Sequence, residues 1–429
     1  MRAAYRFLRA RAAQMEPLAL SFIFLGLIAT PIYLRYPLLA PWLGYYAQVN
    51  VPMAAATLIL LLASKWNRQS LLALCLYLLM LIPMLATDQL AGIRLSHRAA
   101  SFGNVWMPFL LPLARLSPQT AQKRIGRMLL VYDGFAILLL AIAIVNRLSE
   151  PKLLYAFSDW FWDHELYEYE EIRVMLRLME WEGPRNLYRF YFIWGHTLTN
   201  AIFFNGFFIL NDIYARAVGK RYPKLLFFAI TLAGILLCGA KMALMVLGAY
   251  MILTTWGDKR LLALYGALLA GVYLTGGFGA IIRRFRQTSF TSGRFEAMAR
   301  FFSEGRYPLK MLTGYGGNST RVPSSYLYEV RAAFEFPPLM LALDYGVLYA
   351  LCMVGTLVVT TIRRMARAGI VSFLGIGLWC GQIYTYYASS LNGHDAGWIL
   401  GTGLLIALSC ADITRPKTDR MPEEGGQRA

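Results

Sequence analysis

Charged residues are scarce in this sequence. They make up 15% of its 429 residues, whereas hydrophobic residues make up 58%. So few polar groups cannot coat several water-soluble cores, which excludes the two or three soluble domains that the length alone would favour. The five cysteines all lie in apolar runs, without paired or metal-ligand spacing, and we interpret them as small core residues.

Motifs for nucleotides and metals are also missing. The sequence contains no Walker motif, dinucleotide fingerprint, zinc signature or DxD-type nucleotide-sugar motif. Each of these supplies phosphate-binding backbone or metal-binding side chains at a fixed spacing. We therefore expect no nucleotide-dependent reaction, no metal site and no cofactor.

Long apolar runs are present instead, for example over 71–86, 135–145 and 261–274. A helix needs about 20 apolar residues to cross a bilayer core of roughly 30 Å, and in lipid its backbone must satisfy its own hydrogen bonds. The predicted fold class is an all-α membrane protein, a polytopic bundle of about 12 transmembrane helices. We place these helices near 16–34, 46–64, 69–87, 102–114, 128–146, 190–211, 223–239, 242–256, 261–282, 337–360, 369–390 and 396–411.

The net charge of +18 comes from basic residues scattered between the apolar runs. That distribution is typical of the positive-inside rule rather than of nucleic-acid binding, so we expect no nucleic-acid partner. With the N-terminus inside, the cytoplasmic segments hold 23 lysines and arginines and the short outer loops hold four. The predicted location is the bacterial cell inner membrane, with both termini cytoplasmic and the first helix retained rather than cleaved as a signal peptide.

Two long outer loops complete the predicted organisation. The first has the spacing of an amphipathic interfacial helix, and the second holds nine cations against four glutamates. The predicted segments are 1–146 (helices 1–5), 147–189 (periplasmic amphipathic loop), 190–282 (helices 6–9), 283–336 (large basic periplasmic loop), 337–411 (helices 10–12) and 412–429 (disordered cytoplasmic tail).

Cations on the outer side are the first candidate site residues. Arg283, Arg284, Arg286 and Arg294 lie early in the second loop, and Lys241 stands alone in a short turn between two apolar runs. Guanidinium groups bind phosphate oxygens in pairs, so a lipid-linked phosphate or diphosphate would explain the arginines. A basic stretch that faces solvent or lipid headgroups explains them equally well, and Lys241 could simply reach the membrane interface.

Glycines and proton-transfer groups are the second set. Gly314 and Gly316 could let backbone N–H groups approach an anion, although glycine turns are common. The candidates for a general base are Glu335, Glu329 and His394, although a histidine in such a position is more often structural and a carboxylate next to arginines is often only charge-balancing.

These features occur in a recognisable order: a cation in a helical turn, an arginine in a large outer loop, a G-x-G turn, and an acidic-x-Gly at the next helix. They are Lys241, Arg294, Gly314 with Gly316, and Asp344 with Gly346. The order resembles that of the Wzy-type polysaccharide polymerase and O-antigen ligase superfamily, whose members are many-pass membrane glycosyltransferases with a large periplasmic loop late in the chain. The resemblance covers mainly about 225–350.

The resemblance implies polymerisation of undecaprenyl-diphosphate-linked repeat units, and the chain looks most like the polymerases of xanthan-type exopolysaccharide pathways. It implies that Lys241, Arg294 and the glycine turn contact the diphosphate, with Arg283, Arg284 and Arg286 as further candidates. Implied partners are the lipid-linked glycan, membrane lipid, and the flippase and chain-length or export proteins of the same pathway. Two departures from the family pattern are a lysine in place of arginine at 241 and the lack of a His-Asn pair after Ser319, which favours the polymerase branch. The alternatives are ligase-like transfer of glycan to another acceptor, or a lipid-linked-oligosaccharide flippase or transporter.

Overall fold

The computed structural model describes residues 2–28, 42, 51–148, 190, 197–279, 281–282, 294–305, 307–316, 336–366, 368–386 and 396–414. Every element in these residues is helical, which confirms the all-α prediction for this part of the chain. The predicted amphipathic loop after residue 148 and the predicted disordered tail after residue 414 lie outside the described residues.

We number the helical elements of the described residues in chain order. They are α1 (Arg2–Ile28), α2 (Val51–Ala63), α3 (Arg68–Leu90), α4 (95–113), α5 (Ala121–Leu148), α6 (Thr197–Val218), α7 (Lys224–Cys238), α8 (Lys241–Thr255), α9 (Lys259–Leu274), α10 (Arg294–Glu304), α11 (Pro337–Tyr345), α12 (Val347–Met365), α13 (Ile370–Tyr386) and α14 (Ala396–Ile413). α4 passes through π-helical turns over Ser101–Trp106 and ends in a 3-10 turn over Leu111–Leu113.

Helices occur at all twelve predicted positions, with differences in detail. α1 begins at Arg2, well before the predicted start at residue 16. The helix predicted over 337–360 is split at Gly346 into α11 and α12. α10 lies within the predicted outer loop, where the sequence pattern predicts no helix.

Within the described residues, three helices are long and apolar enough to cross a membrane, namely α3, α5 and α12. Shorter apolar stretches are Val51–Ala63, Lys224–Cys238, Lys241–Thr255, Ile370–Ile383 and Gly397–Ile413. The outward faces of the three long helices are also apolar: Leu72, Leu130 and Leu351 are 61%, 72% and 65% exposed. Such faces would favour aggregation in water, whereas they are the expected surface in lipid.

Polar side chains are turned inwards, most clearly on α6, which packs against α5, α7, α8, α13 and α14. The buried Asn205 on this helix donates from Nδ2 to Gln382 Oε1 at 2.6 Å and to the carbonyl of Ala243 at 3.0 Å. Tyr132 of α5 donates to the carbonyl of Phe203 at 2.7 Å. Apolar faces outside and bonded polar groups between helices are typical of membrane bundles.

At one end of the bundle, which we call the basic end, helix termini that carry lysine and arginine contact one another. Arg364, near the end of α12, donates to the carbonyl of Pro112 at 2.5 Å and to Asp412 Oδ2 of α14 at 2.8 Å. Tyr214 of α6 donates to the carbonyl of Gln122 at the start of α5, at 2.9 Å. These are the termini that the count of basic residues assigns to the cytoplasmic side.

The opposite end, which we call the loop end, is where the chain leaves α5 and α9 for the two long outer loops that the sequence predicts. Here the amide of Gly314 donates to Thr87 Oγ1 near the end of α3, at 3.3 Å. The amide of Phe190 donates to the carbonyl of Leu237 near the end of α7, at 3.0 Å. Consecutive helices from α2 to α8 therefore run in alternating directions between the two ends.

Candidate functional site

The candidate site is built around the break between α11 and α12. Gly346 separates the two helices with φ 104° and ψ 157°, a conformation that favours glycine. A continuous helix would bond the amides of Val347 and Leu348 to the carbonyls of Leu343 and Asp344. The break removes both bonds and leaves two donors and two acceptors to be satisfied by other groups.

Residues 310–316 satisfy all four of these groups. The amides of Val347 and Leu348 donate to the carbonyls of Lys310 and Met311, at 2.9 and 3.0 Å. In return, the amides of Tyr315 and Gly316 donate to the carbonyls of Leu343 and Asp344, at 2.8 and 3.0 Å. A segment of the large loop thus replaces the helix's own hydrogen bonds, so the loop and the helix break form one structural unit.

Glycine is required where the two segments touch. A Cβ added to Gly314 would overlap the carbonyl groups of Leu343 and Asp344, and one added to Gly346 would lie 3.0 Å from the carbonyl oxygen of Met311. Because the amides of Gly314 and Gly316 already donate to protein acceptors, the structure gives both glycines a packing role. Their contact with a diphosphate stays a prediction.

α10 packs on the same unit. Phe301 of α10 is buried against Met340 and Leu343 of α11, and Tyr315 of the glycine turn packs at the edge of this cluster. Arg294 is the first residue of α10, seven positions before Phe301, which corresponds to roughly 10 Å along a helix. The backbone of Arg294 therefore lies about 10 Å from Phe301 along the same helix, while its side chain lies outside the described part.

Two buried carboxylates lie beneath the glycine turn. Asp88 at the end of α3 is 0% exposed and Asp344 at the end of α11 is 5% exposed. Both lie close enough to the hydroxyls of Tyr345 and Tyr349 to act on them electrostatically, and the two tyrosine rings are 4.8 Å apart. Asp88 did not emerge from the motif analysis, although it is the one acid in the apolar sequence of α3. A carboxylate in such a run is itself a signal for function.

Lys241 also lies at the loop end, on a different pair of helices. It begins α8 directly after the left-handed turn at Gly239 (φ 62°), and its side chain is half-buried. The turn is held in place by Phe190, which bonds to Leu237 and accepts a hydrogen bond from Asn200 Nδ2 at 3.0 Å. α13 contacts both α8 and α11 and so connects Lys241 with the helix break.

The other predicted site residues lie outside the described residues. These are Arg283, Arg284, Arg286, Glu329, Glu335 and His394. Among the residues that are described, no group of three His, Cys, Asp or Glu side chains is placed to hold a metal ion.

The arrangement can contribute carboxylates, hydroxyls and cations to one end of the bundle. Lys310 of the turn segment lies over the ring of Tyr315 at 4.2 Å, which adds a further cation beside the glycine turn. Carboxylates next to hydroxyls can transfer protons, and cations at the loop end can balance a phosphate charge. No protein-family model, curated protein or solved structure matches the chain, so its function has to be argued from these residues.

Proposed function

We propose that the protein is a membrane glycosyltransferase that polymerises undecaprenyl-diphosphate-linked repeat units into exopolysaccharide. The observation that carries the proposal is the docking of Gly314 and Gly316 onto the helix break at Asp344 and Gly346. These are two of the motifs on which the resemblance to Wzy-type polymerases rests, and they are distant in sequence. Their direct contact is what a shared site predicts.

The proposed orientation places the loop end in the periplasm and the basic end and both termini in the cytoplasm. Arg115, Arg216, Lys224 and Arg364 lie at the basic end, where the positive-inside rule expects such residues. The alternating helices support a multi-pass arrangement of about twelve spans in the bacterial inner membrane.

The reaction joins two lipid-linked glycans. A hydroxyl oxygen of the incoming repeat unit attacks the reducing-end carbon of the growing glycan, and the bond from that carbon to the diphosphate breaks. The electron pair leaves with undecaprenyl diphosphate, and the hydroxyl proton passes to a base. The leaving group carries the developing charge, so positioned cations and exact alignment of the two glycans account for most of the rate.

Each candidate residue has a role in this scheme. Lys241 and Arg294 bind the diphosphate, with Arg283, Arg284 and Arg286 as additional contacts. Glu335, Glu329 and His394 are the bases that the sequence suggests. The structure adds Asp344 and Asp88, because these carboxylates lie directly beneath the glycine turn. Since the substrate must already be translocated, the proposed partners are a flippase upstream and chain-length or export proteins downstream.

A deletion strain tests the proposal through its lipid-linked glycans. Loss of a polymerase should leave single repeats on the periplasmic side and no longer species. Single repeats on the cytoplasmic side would identify a flippase instead, and long glycans still attached to undecaprenyl diphosphate would identify a ligase.

An assay with purified protein complements the deletion. The protein in liposomes should convert lipid-linked repeats into longer glycans without an ion gradient. Failure to lengthen them, in a preparation that translocates them, would exclude the polymerase.

A further inference from the structure

The basic end contains a cavity that the proposed reaction does not use. It has a volume of about 710 Å³ and lies between the end of α6 and the starts of α7 and α9. Four cations line it, namely Arg216, Lys220, Arg221 and Lys224. Asp212 is the single acidic residue in its lining, so the wall carries a clear positive charge.

Asp212 holds part of this wall in place. The carboxylate is fully buried, and its two oxygens accept hydrogen bonds from Tyr222 at 2.6 Å and Tyr250 at 2.5 Å. It also pairs with Arg216 Nε at 2.7 Å and lies 3.7 Å from Lys224 Nζ. Burial and the negative charge of Asp212 raise the pKa of Tyr222, so this phenol stays protonated and keeps donating.

The network leaves cationic groups directed at the cavity. Arg216 uses Nε for Asp212, and its side chain, about one third exposed, also lines the cavity. Lys220 and Arg221 are exposed and have no acidic partner within the same residues. The positive-inside rule explains why cations are numerous at this end, but it does not explain why four of them surround one cavity.

The remaining wall is apolar. Leu225, Leu226 and Leu261 line the cavity on the side of α7 and α9. Leu226 is 55% exposed, so the apolar wall continues onto the outward surface of the helix. A ligand that fits both the cationic wall and the apolar wall of the cavity carries a phosphate at one end and hydrocarbon at the other.

We propose that this cavity binds the phosphate group of an anionic phospholipid, with its acyl chains along the leucines. Basic pockets between membrane helices on the cytoplasmic side are suited to such headgroups, because each cation near the surface contributes attraction and the guanidinium groups can bond phosphate oxygens in pairs. The site lies at the end opposite the helix break, so lipid binding there does not depend on the proposed glycosyl transfer.

The test uses the full chain in a neutral detergent, with thermal unfolding as the readout. Short-chain phosphatidylglycerol should raise Tm in a saturable manner. Phosphatidylcholine of the same chain length and inorganic phosphate should have little effect. Equal stabilisation by inorganic phosphate would overturn the lipid assignment in favour of a free phosphate compound, and equal stabilisation by phosphatidylcholine would exclude recognition of the anionic headgroup.

The matched variants locate the site. Lys220→Gln combined with Arg221→Gln should weaken the apparent affinity for phosphatidylglycerol about thirtyfold, which is ~2 kcal/mol at about 1.4 kcal/mol per tenfold. Both side chains are exposed and outside the Asp212 network, so Tm without lipid should not change. Lys65→Gln with Arg68→Gln removes two exposed cations that do not line the cavity, and this control should bind as the unmodified chain does.

Two results with these variants would overturn the proposal. One is unchanged affinity in the double variant at Lys220 and Arg221. The other is an equal loss in the control, which would indicate general electrostatic attraction. If the first variant unfolds early, the charge-preserving pair Lys220→Arg with Arg221→Lys should retain binding, and loss of binding there would also contradict the site.

Discussion

Both ends of the bundle bury carboxylates, but they surround them differently. At the basic end, Asp212 pairs with Arg216 and Asp412 pairs with Arg364. At the loop end, Asp344 acts electrostatically on Tyr345 and Tyr349, and backbone hydrogen bonds close the helix break. Asp212 also accepts hydrogen bonds from two tyrosine hydroxyls, but its ion pairs commit it to a structural role, whereas a buried carboxylate at a helix break is a candidate for exchanging a proton. We therefore expect changes at the basic end to alter stability and changes at the loop end to alter activity.

The largest effect is expected from Gly314→Val, which should reduce both the stability of the fold and the activity. The new side chain would push residues 310–316 away from the helix break, where each unsatisfied buried backbone group costs about 1–3 kcal/mol. A loss of about 4 kcal/mol or more should appear as a large fall in Tm in detergent, together with loss of polymer. Gly248→Ala is the control, because its added Cβ meets nothing within 4 Å. A normal Tm for Gly314→Val would contradict the docking of the segment.

Lys241→Ala and Arg294→Ala should each reduce polymer by about a hundredfold or more, because in the proposed reaction each removes charge stabilisation from the leaving diphosphate. Protein level and Tm should stay normal, and Lys241→Arg should keep substantial activity. Lys65→Ala, at the basic end, serves as the control for removal of a cation. Full polymer yield in Arg294→Ala would exclude that residue from the site.

Asp212→Ala should lower the free energy of unfolding by about 3 kcal/mol. It leaves two tyrosine hydroxyls without their acceptor and two cations without their counter-ion, although these cations are about one third exposed and the cost is reduced accordingly. Polymer made per folded molecule should not change. A Tm equal to that of the unmodified chain would show that the basic end is not held together by this carboxylate.

The smallest change in the free energy of unfolding is expected from Asp344→Asn. The change keeps the shape and removes the charge, so Tm should be nearly unchanged while polymer synthesis falls by about a hundredfold if Asp344 accepts the proton. Asp412→Asn removes a carboxylate at the other end and should leave the rate per folded molecule intact. Normal rates in both Asp344→Asn and Asp88→Asn would exclude the two carboxylates from the chemistry.

Helix positions could be predicted from the sequence because they depend on local hydrophobicity. The apolar runs locate α3 and α5, and the distribution of lysine and arginine separates the two ends. The resemblance identifies the glycine turn and Asp344 with Gly346 as motifs, but their order along the chain does not predict that they touch.

The helix break at Gly346 could not be predicted in the same way. The apolar pattern continues through it, and the interruption depends on residues 310–316, which are distant in the chain. Asp212 is a related case, since its four partners come from α6, α7, α8 and the turn at Tyr222. Apart from the i,i+4 pair with Arg216 on the same helix, these contacts exist only once the helices have packed. Asp88, by contrast, could have been identified from the sequence, because it is the one acidic residue in the apolar sequence of α3.

The order of the segments along the chain has a consequence for biogenesis. Residues 310–316 leave the ribosome before α11 and α12, whose broken backbone they complete. The backbone carbonyls and amides of this segment are therefore synthesised before the interrupted helix is inserted. The amides at the break can then be bonded at once, instead of remaining unbonded in lipid, where each unbonded group costs several kcal/mol. A circular permutant that synthesises α11 and α12 ahead of this segment would lose that protection and should insert with lower yield.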